Sequence, residues 1–346
     1  MMRLGRATGY VASAGGLLPP RRLPSVGPPA RQVPGVPQVR LNVVLETSRR
    51  FALPVWFLII SVDRVVTAIA QGFVGIDLRI YRDAATAALH GGNPWSETAG
   101  GGYFAAPPPT LLFYLPTAFV SLPVATVAAF LIGIAAGVWI IRRLDLPWWW
   151  LLFPPLVESI LTGNPDAPVL ALVLLPGAAA GLGAGLKVYA VIPLLAQGRW
   201  RAIAVSCAVI VLSLPLWPDF IASLDTVASA FDAQAVGLSA WGTWAMIPAL
   251  WALYVLRRDG AEWLAVPALW PNTQSHYGTL AMPALKSSRL AAAIMSLAIP
   301  FAPVVAVLVL AAQVILRDRR PRDVDGPLTA RTPAPDQAEP VSDLTV

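Results

Sequence analysis

A carboxylate set directly behind a long apolar run is well placed to act as a base on a lipid-borne substrate. Asp77 is such a residue: it opens the stretch Gly75-Ile76-Asp77-Leu78-Arg79-Ile80-Tyr81-Arg82-Asp83 after an apolar run over about residues 51–74. At the boundary between water and headgroups it can accept a proton from a hydroxyl held about 2.6–3.2 Å away. The same residue also reads, more simply, as a solvated loop aspartate. Arg79 and Arg82 suit a lipid phosphate, although an interfacial helix carries such arginines in any case. Lys187, one of two lysines, interrupts an apolar stretch. An ammonium at the bilayer centre costs about 2.5–3.5 kcal/mol, so it should face a cavity or an anion, or else snorkel to the interface.

Other polar residues carry less. Asp63 and Arg64 fall near the middle of the first apolar run, and as helical neighbours they point about 100° apart, towards adjacent helices or a wet cavity rather than each other. Glu158 and Asp166 read as structural or cavity-lining. Cys207 is the single cysteine, which excludes an internal disulfide framework, and His90 and His276 are too far apart for a helical zinc pair. No metal and no cofactor are expected.

The elements that would hold these groups are membrane helices. Of 346 residues, 56% are hydrophobic and 13% charged, with a mean hydropathy of +0.64. A soluble domain carries about a quarter charged residues, so the chain reads as an all-α polytopic membrane protein. Apolar runs lie at about 51–74, 107–122, 124–141, 148–161, 167–182, 185–196, 202–217, 241–256, 261–285 and 290–316. By length this suggests roughly nine to eleven crossings, several of them broken by proline or glycine. The tryptophans, including Trp148, Trp149, Trp150, Trp241, Trp244 and Trp251, read mostly as interfacial anchors. Residues 1–50, with eight arginines, one acid and seven prolines, read as a disordered basic arm, and 317–346 as a similar tail. The net charge of +6 sits largely in that arm and does not point to nucleic acid.

The arm, Arg199–Arg201, Arg257–Arg258 and the start of the tail should be cytoplasmic. That puts the loop 75–106 on the outer face of the cell membrane. Within it, Leu78–Leu89 suits a short interfacial helix, ended by Gly91-Gly92 and turned by Asn93-Pro94. Simple counting leaves Arg142–Arg143 outside, so one short segment must be re-entrant or not a crossing.

The ordered set Asp77, Tyr81-Arg82, Gly91-Gly92-Asn93-Pro94-Trp95, Tyr103 before Pro107-Pro108-Pro109, Gly163-Asn164, Leu186-Lys187 with Pro193, and Arg199-Trp200-Arg201 resembles the polyprenol-phosphate-mannose-dependent mannosyltransferases of glycosyltransferase family 87. Those are membrane enzymes of the GT-C class. The likeness covers about 51–217. Two positions depart from it: Val188 replaces a proline expected after the lysine, and Pro165-Asp166 follow Gly163-Asn164 in place of a longer polar motif.

The resemblance implies a GT-C-like bundle over 51–316, an outward-facing site with Asp77 as base, and inversion to an α-linked product. It also implies a polyprenyl-phosphate mannose donor and a glycolipid or lipoglycan acceptor. Tyr81, Arg82, Tyr103, Asn164 and Lys187 become candidates for binding substrate, and His276 a candidate for a place near the donor phosphate. A monophosphate leaving group needs less charge neutralisation than a diphosphate, in keeping with the absence of an expected metal. A transporter or flippase, and a catalytically degenerate scaffold, remain as alternatives from other classes.

Overall fold

The computed structural model describes residues 38–96, 102–233 and 237–319. Most of the expected arm and nearly all of the tail lie outside them. Among the described residues the chain is helical with no strand. Helix α1 spans Gln38–Ala70, so the backbone is already helical within the segment expected to be a disordered arm. Then follow α2 (Ile76–Leu89), α3 (Pro108–Tyr114), α4 (Leu122–Leu144), α5 (Pro154–Thr162), α6 (Asp166–Val173), α7 (Gly181–Leu186) and α8 (Val191–Ala196). The second half holds α9 (Trp200–Leu212), α10 (Trp217–Ala222), α11 (Leu224–Ala233), α12 (Met246–Val255), α13 (Ala261–Leu269), α14 (Met282–Leu285), α15 (Arg289–Met295) and α16 (Ala302–Arg319).

Among the described residues two helices are long and apolar enough to cross a membrane, Arg50–Ala70 within α1 and Leu122–Leu144. A third span arises if Trp200–Leu212 and Leu214–Ala222, bent by 49°, are taken together. The other apolar runs of the sequence are divided. The run 107–122 contains only the seven-residue α3 and a 3₁₀ turn over Leu115–Phe119; seven residues rise about 10 Å, far short of a bilayer core. Prolines do much of the cutting: Pro165 and Pro176 bracket α6, Pro193 lies in α8, Pro267 in α13 and Pro283 in α14. Each removes a backbone donor and resists a continuous helix.

Tight packing holds these short pieces. At Gly181 an added Cβ would sit 2.0 Å from the Ala202 carbonyl oxygen, so α7 and α9 meet backbone to backbone where only glycine fits. Phe57 of α1 is fully buried, with ring centroids 5.5 Å from Trp150 and 5.2 Å from Phe153. Ser61 donates to the Leu152 carbonyl at 2.7 Å, and Trp56 Nε1 to Ser296 Oγ at 2.9 Å. Trp150 is therefore core rather than an interfacial anchor. Trp148, Trp241, Trp244 and Trp251 are exposed, as anchors would be.

Candidate active site

The expected interfacial helix is α2, and Asp77 lies in its first turn. A carboxylate there meets the positive end of the helix dipole. The start of α2 is tied to the end of α5 by the Gly75 N–H, which donates to the Leu161 carbonyl at 2.9 Å. Helix α5 stops at Gly163, whose φ of +75° is the left-handed cap that glycine favours. A Cβ there would approach Leu78 Cβ to 2.8 Å, so the missing side chain is what lets α2 lie against the cap. This contact brings Asn164 beneath Asp77, and its Nδ2 donates to Asp77 Oδ2 at 3.0 Å. The other end of the amide is also held: Asn164 Oδ1 accepts from the Asp166 N–H at 3.2 Å.

Lys187 stands where α7 ends and the chain turns extended, at φ −143° and ψ 115°. Its ammonium is ringed by three tyrosines, 5.7 Å from the Tyr81 ring, 5.7 Å from Tyr189 and 5.6 Å from Tyr277. Such faces attract a cation without neutralising it. Lys187 is buried, and among the described residues no carboxylate lies within 4.0 Å of it. Behind it, the fully buried Asp166 accepts a short hydrogen bond from Tyr189 Oη. His276, from the 3₁₀ turn Ser275–Ala281, holds Nε2 at 3.6 Å from Asp166 Oδ2, a close approach beyond hydrogen-bond length.

These groups surround one cavity of about 510 Å³, a size suited to a small-molecule site. Asp77, Tyr81, Tyr103, Asn164, Lys187 and His276 all line it, although they span two hundred positions of sequence. Arg82 does not. Its Nε donates to the Thr117 carbonyl at 3.2 Å and its Nη2 to Val120 at 2.9 Å, and it lies 4.0 Å from Asp83. One residue beyond Tyr81 on a helix, it points roughly 100° away and braces the turn after α3. Arg82, expected among the substrate-binding residues, is thus not brought to the cavity with the others. Arg79 is exposed.

Burial pushes the Asp77 carboxyl above its ordinary value, and the Asn164 amide and the Lys187 charge pull it partly back. Sequence reasoning missed Tyr189, Tyr277, Trp270, Asn272 and Ser275, which share the cavity wall. Aromatic residues in apolar runs look like packing or anchors, and nothing in their spacing sets them apart. Glu158 and Arg64 also line the cavity, as an ion pair at 3.4 Å, whereas Asp63 is exposed. No group of three His, Cys, Asp or Glu among the described residues is arranged to hold a metal ion.

A second cavity of about 380 Å³ adjoins the first at Asn164, between α3, α4 and α5, with no charged residue in its lining. No family model, curated protein or solved structure matches the chain.

Proposed function

We propose that this chain is a membrane glycosyltransferase of GT-C type that moves mannose from a polyprenyl-phosphate donor to a lipid-anchored glycan. The observation that carries the reading is the meeting of Asp77, Asn164 and Lys187 with Tyr81, Tyr103 and His276 around one cavity. In the reaction the acceptor hydroxyl oxygen attacks the anomeric carbon as the carbon–oxygen bond to phosphate breaks. The hydroxyl proton passes to Asp77, and the polyprenyl phosphate leaves with the bonding electron pair. The departing phosphate gains negative charge, and the unpaired Lys187 ammonium stabilises it in a cavity where charge is poorly screened. Asn164 holds the carboxylate of Asp77 in line. Attack opposite the leaving group inverts the sugar to an α-linkage. His276, on the same cavity wall, serves the donor phosphate. The apolar cleft beside α4 offers surroundings that suit hydrocarbon.

The reading makes the protein a multi-pass bundle in the cell membrane, with the site on the outer face and both tails cytoplasmic. Because α3 is too short to cross, α4 becomes the second span of the chain, and Arg142–Arg143 in its last turn return to the cytoplasmic side with the other basic clusters. The short helices that wall the cavity also suit a transporter or flippase, and one assay separates the two.

Reconstituted protein is given polyprenyl-phosphate mannose and a glycolipid acceptor. A new glycosidic bond is expected, with turnover falling about 10²–10⁴-fold in Asp77→Asn. Movement of the donor across the bilayer without bond formation would establish the transporter instead. Equal turnover by both forms would eliminate Asp77 as base.

A further inference from the structure

The wall formed by Arg64, Glu158 and Asn272 is left without a task by the chemistry above. Arg64 comes from α1 and Glu158 from α5, both in strongly apolar surroundings, and each side chain is 20% exposed where it lines the cavity. Burying such a pair is costly unless every hydrogen-bonding position is filled. Here they are not. Glu158 Oε1 accepts from the Ser275 hydroxyl, but among the described residues Arg64 Nε and Glu158 Oε2 have no hydrogen-bond partner. Asn272 adds a third such atom: its Oδ1 is buried and has no hydrogen-bond partner among the described residues, and its backbone sits at φ +56°, a conformation asparagine tolerates better than most residues. One wall thus holds a buried donor and two buried acceptors without a hydrogen bond among the described residues, Glu158 Oε2 being held only by the ion pair to Arg64 Nη1 at 3.4 Å.

That pattern fits a particular chemistry. A single anion would be served by the arginine and repelled by the glutamate. A sugar ring, whose neighbouring hydroxyls each donate and accept, can use a guanidinium, a carboxylate and an amide together. Asp77, Lys187 and Glu158 line the same cavity, so a hydroxyl held by this wall and a phosphate held by the lysine would share the space that the base faces.

We infer that Arg64, Glu158 and Asn272 form a binding subsite for the hydroxyl groups of the acceptor glycan, and that they select the acceptor rather than the donor. The inference rests on the glycosyltransferase reading for the word acceptor, but the subsite itself does not. It is tested with full-length protein in vesicles carrying Asn272→Gly, which keeps the backbone conformation, and Glu158→Gln, which keeps the shape. With donor saturating, each variant should raise the KM for the glycolipid acceptor about tenfold, the effect of losing roughly 1.4 kcal/mol, with donor KM unchanged. A rise in donor KM at constant acceptor KM would overturn the assignment.

A second measurement does not need turnover. Methyl α-mannopyranoside, titrated against tryptophan fluorescence with Trp270 on the cavity wall, should bind native protein saturably and both variants at least about fivefold more weakly. Equal binding by folded native and variant proteins would overturn the subsite. Saturable sugar binding without any transfer would retain the subsite and discard the glycosyltransferase reading.

Discussion

The two faces of α2 serve different ends. On the inner face Asp77 and Tyr81 look into the cavity, opposite Lys187. On the outer edge Arg82 is spent on the carbonyls of Thr117 and Val120. Both basic residues were candidates for the same phosphate, and what separates them is the surroundings. Arg82 sits beside a turn whose carbonyls need donors, so its charge is absorbed by the backbone. Lys187 sits among aromatic rings that attract a cation but satisfy none of its donors. A buried cation left in that condition is the one with capacity for a ligand.

The comparison can be broken most severely at its hinge. Gly163→Ala would force a side chain into a left-handed cap, at about 1–2 kcal/mol, and into Leu78, at about 1–3 kcal/mol more. The inner face of α2 should separate from Asn164, lowering Tm by several degrees and reducing transfer, both measurable on one preparation. Next in size, Lys187→Ala should raise donor KM about 10–100-fold, for the loss of a charge-assisted contact of about 1.5–3 kcal/mol; a donor titration measures it, and an unchanged donor affinity would remove the lysine from the phosphate. Smallest is Arg82→Gln, expected to leave donor KM unmoved while costing about 0.5–1.5 kcal/mol of stability through its lost backbone contacts. A thermal melt beside the same titration checks that pair of outcomes. Comparable donor defects in the Lys187 and Arg82 variants would erase the distinction between the two cations.

The same contrast explains what could be read from the sequence. Asp77 and Lys187 were legible because each is a charge in an apolar setting, where chance placement is expensive. The helix was legible over 78–89 from its alanines and leucines and from the glycines that end it, and it begins two residues earlier, at Ile76. Tyr189, Tyr277 and Asn272 were not, since a tyrosine in an apolar run has the same appearance whether it packs or cages a cation. The apolar runs were legible, but their division into short helices was less so. Hydropathy sums across Pro176 or Pro193 as readily as across leucine, and the run 107–122 has the length of a crossing while containing a seven-residue helix. The Arg64–Glu158 pair joins α1 to α5, a contact between distant segments that no local spacing announces.

Stability and activity should pull Asp77 in opposite directions. Its folded pKa is raised by burial, so the native state binds this proton more tightly than the unfolded chain. Its contribution to stability is full below the ordinary carboxylate value and is lost as pH climbs through the raised one. At neutral pH Asp77→Asn should therefore melt no lower than the native protein, which lets its loss of turnover be separated from misfolding.

The most direct test of Asp77 as a base sharing its cavity with Lys187 is the pH dependence of kcat/KM for transfer, in native protein and in Lys187→Ala. Only ionised Asp77 can accept the proton, so the rate should rise with pH along an acid limb displaced upward from the ordinary aspartate value. Removing the ammonium that draws this pKa down should move the limb to still higher pH. A native profile without such a limb, or a limb that stays in place when Lys187 is removed, would contradict the account.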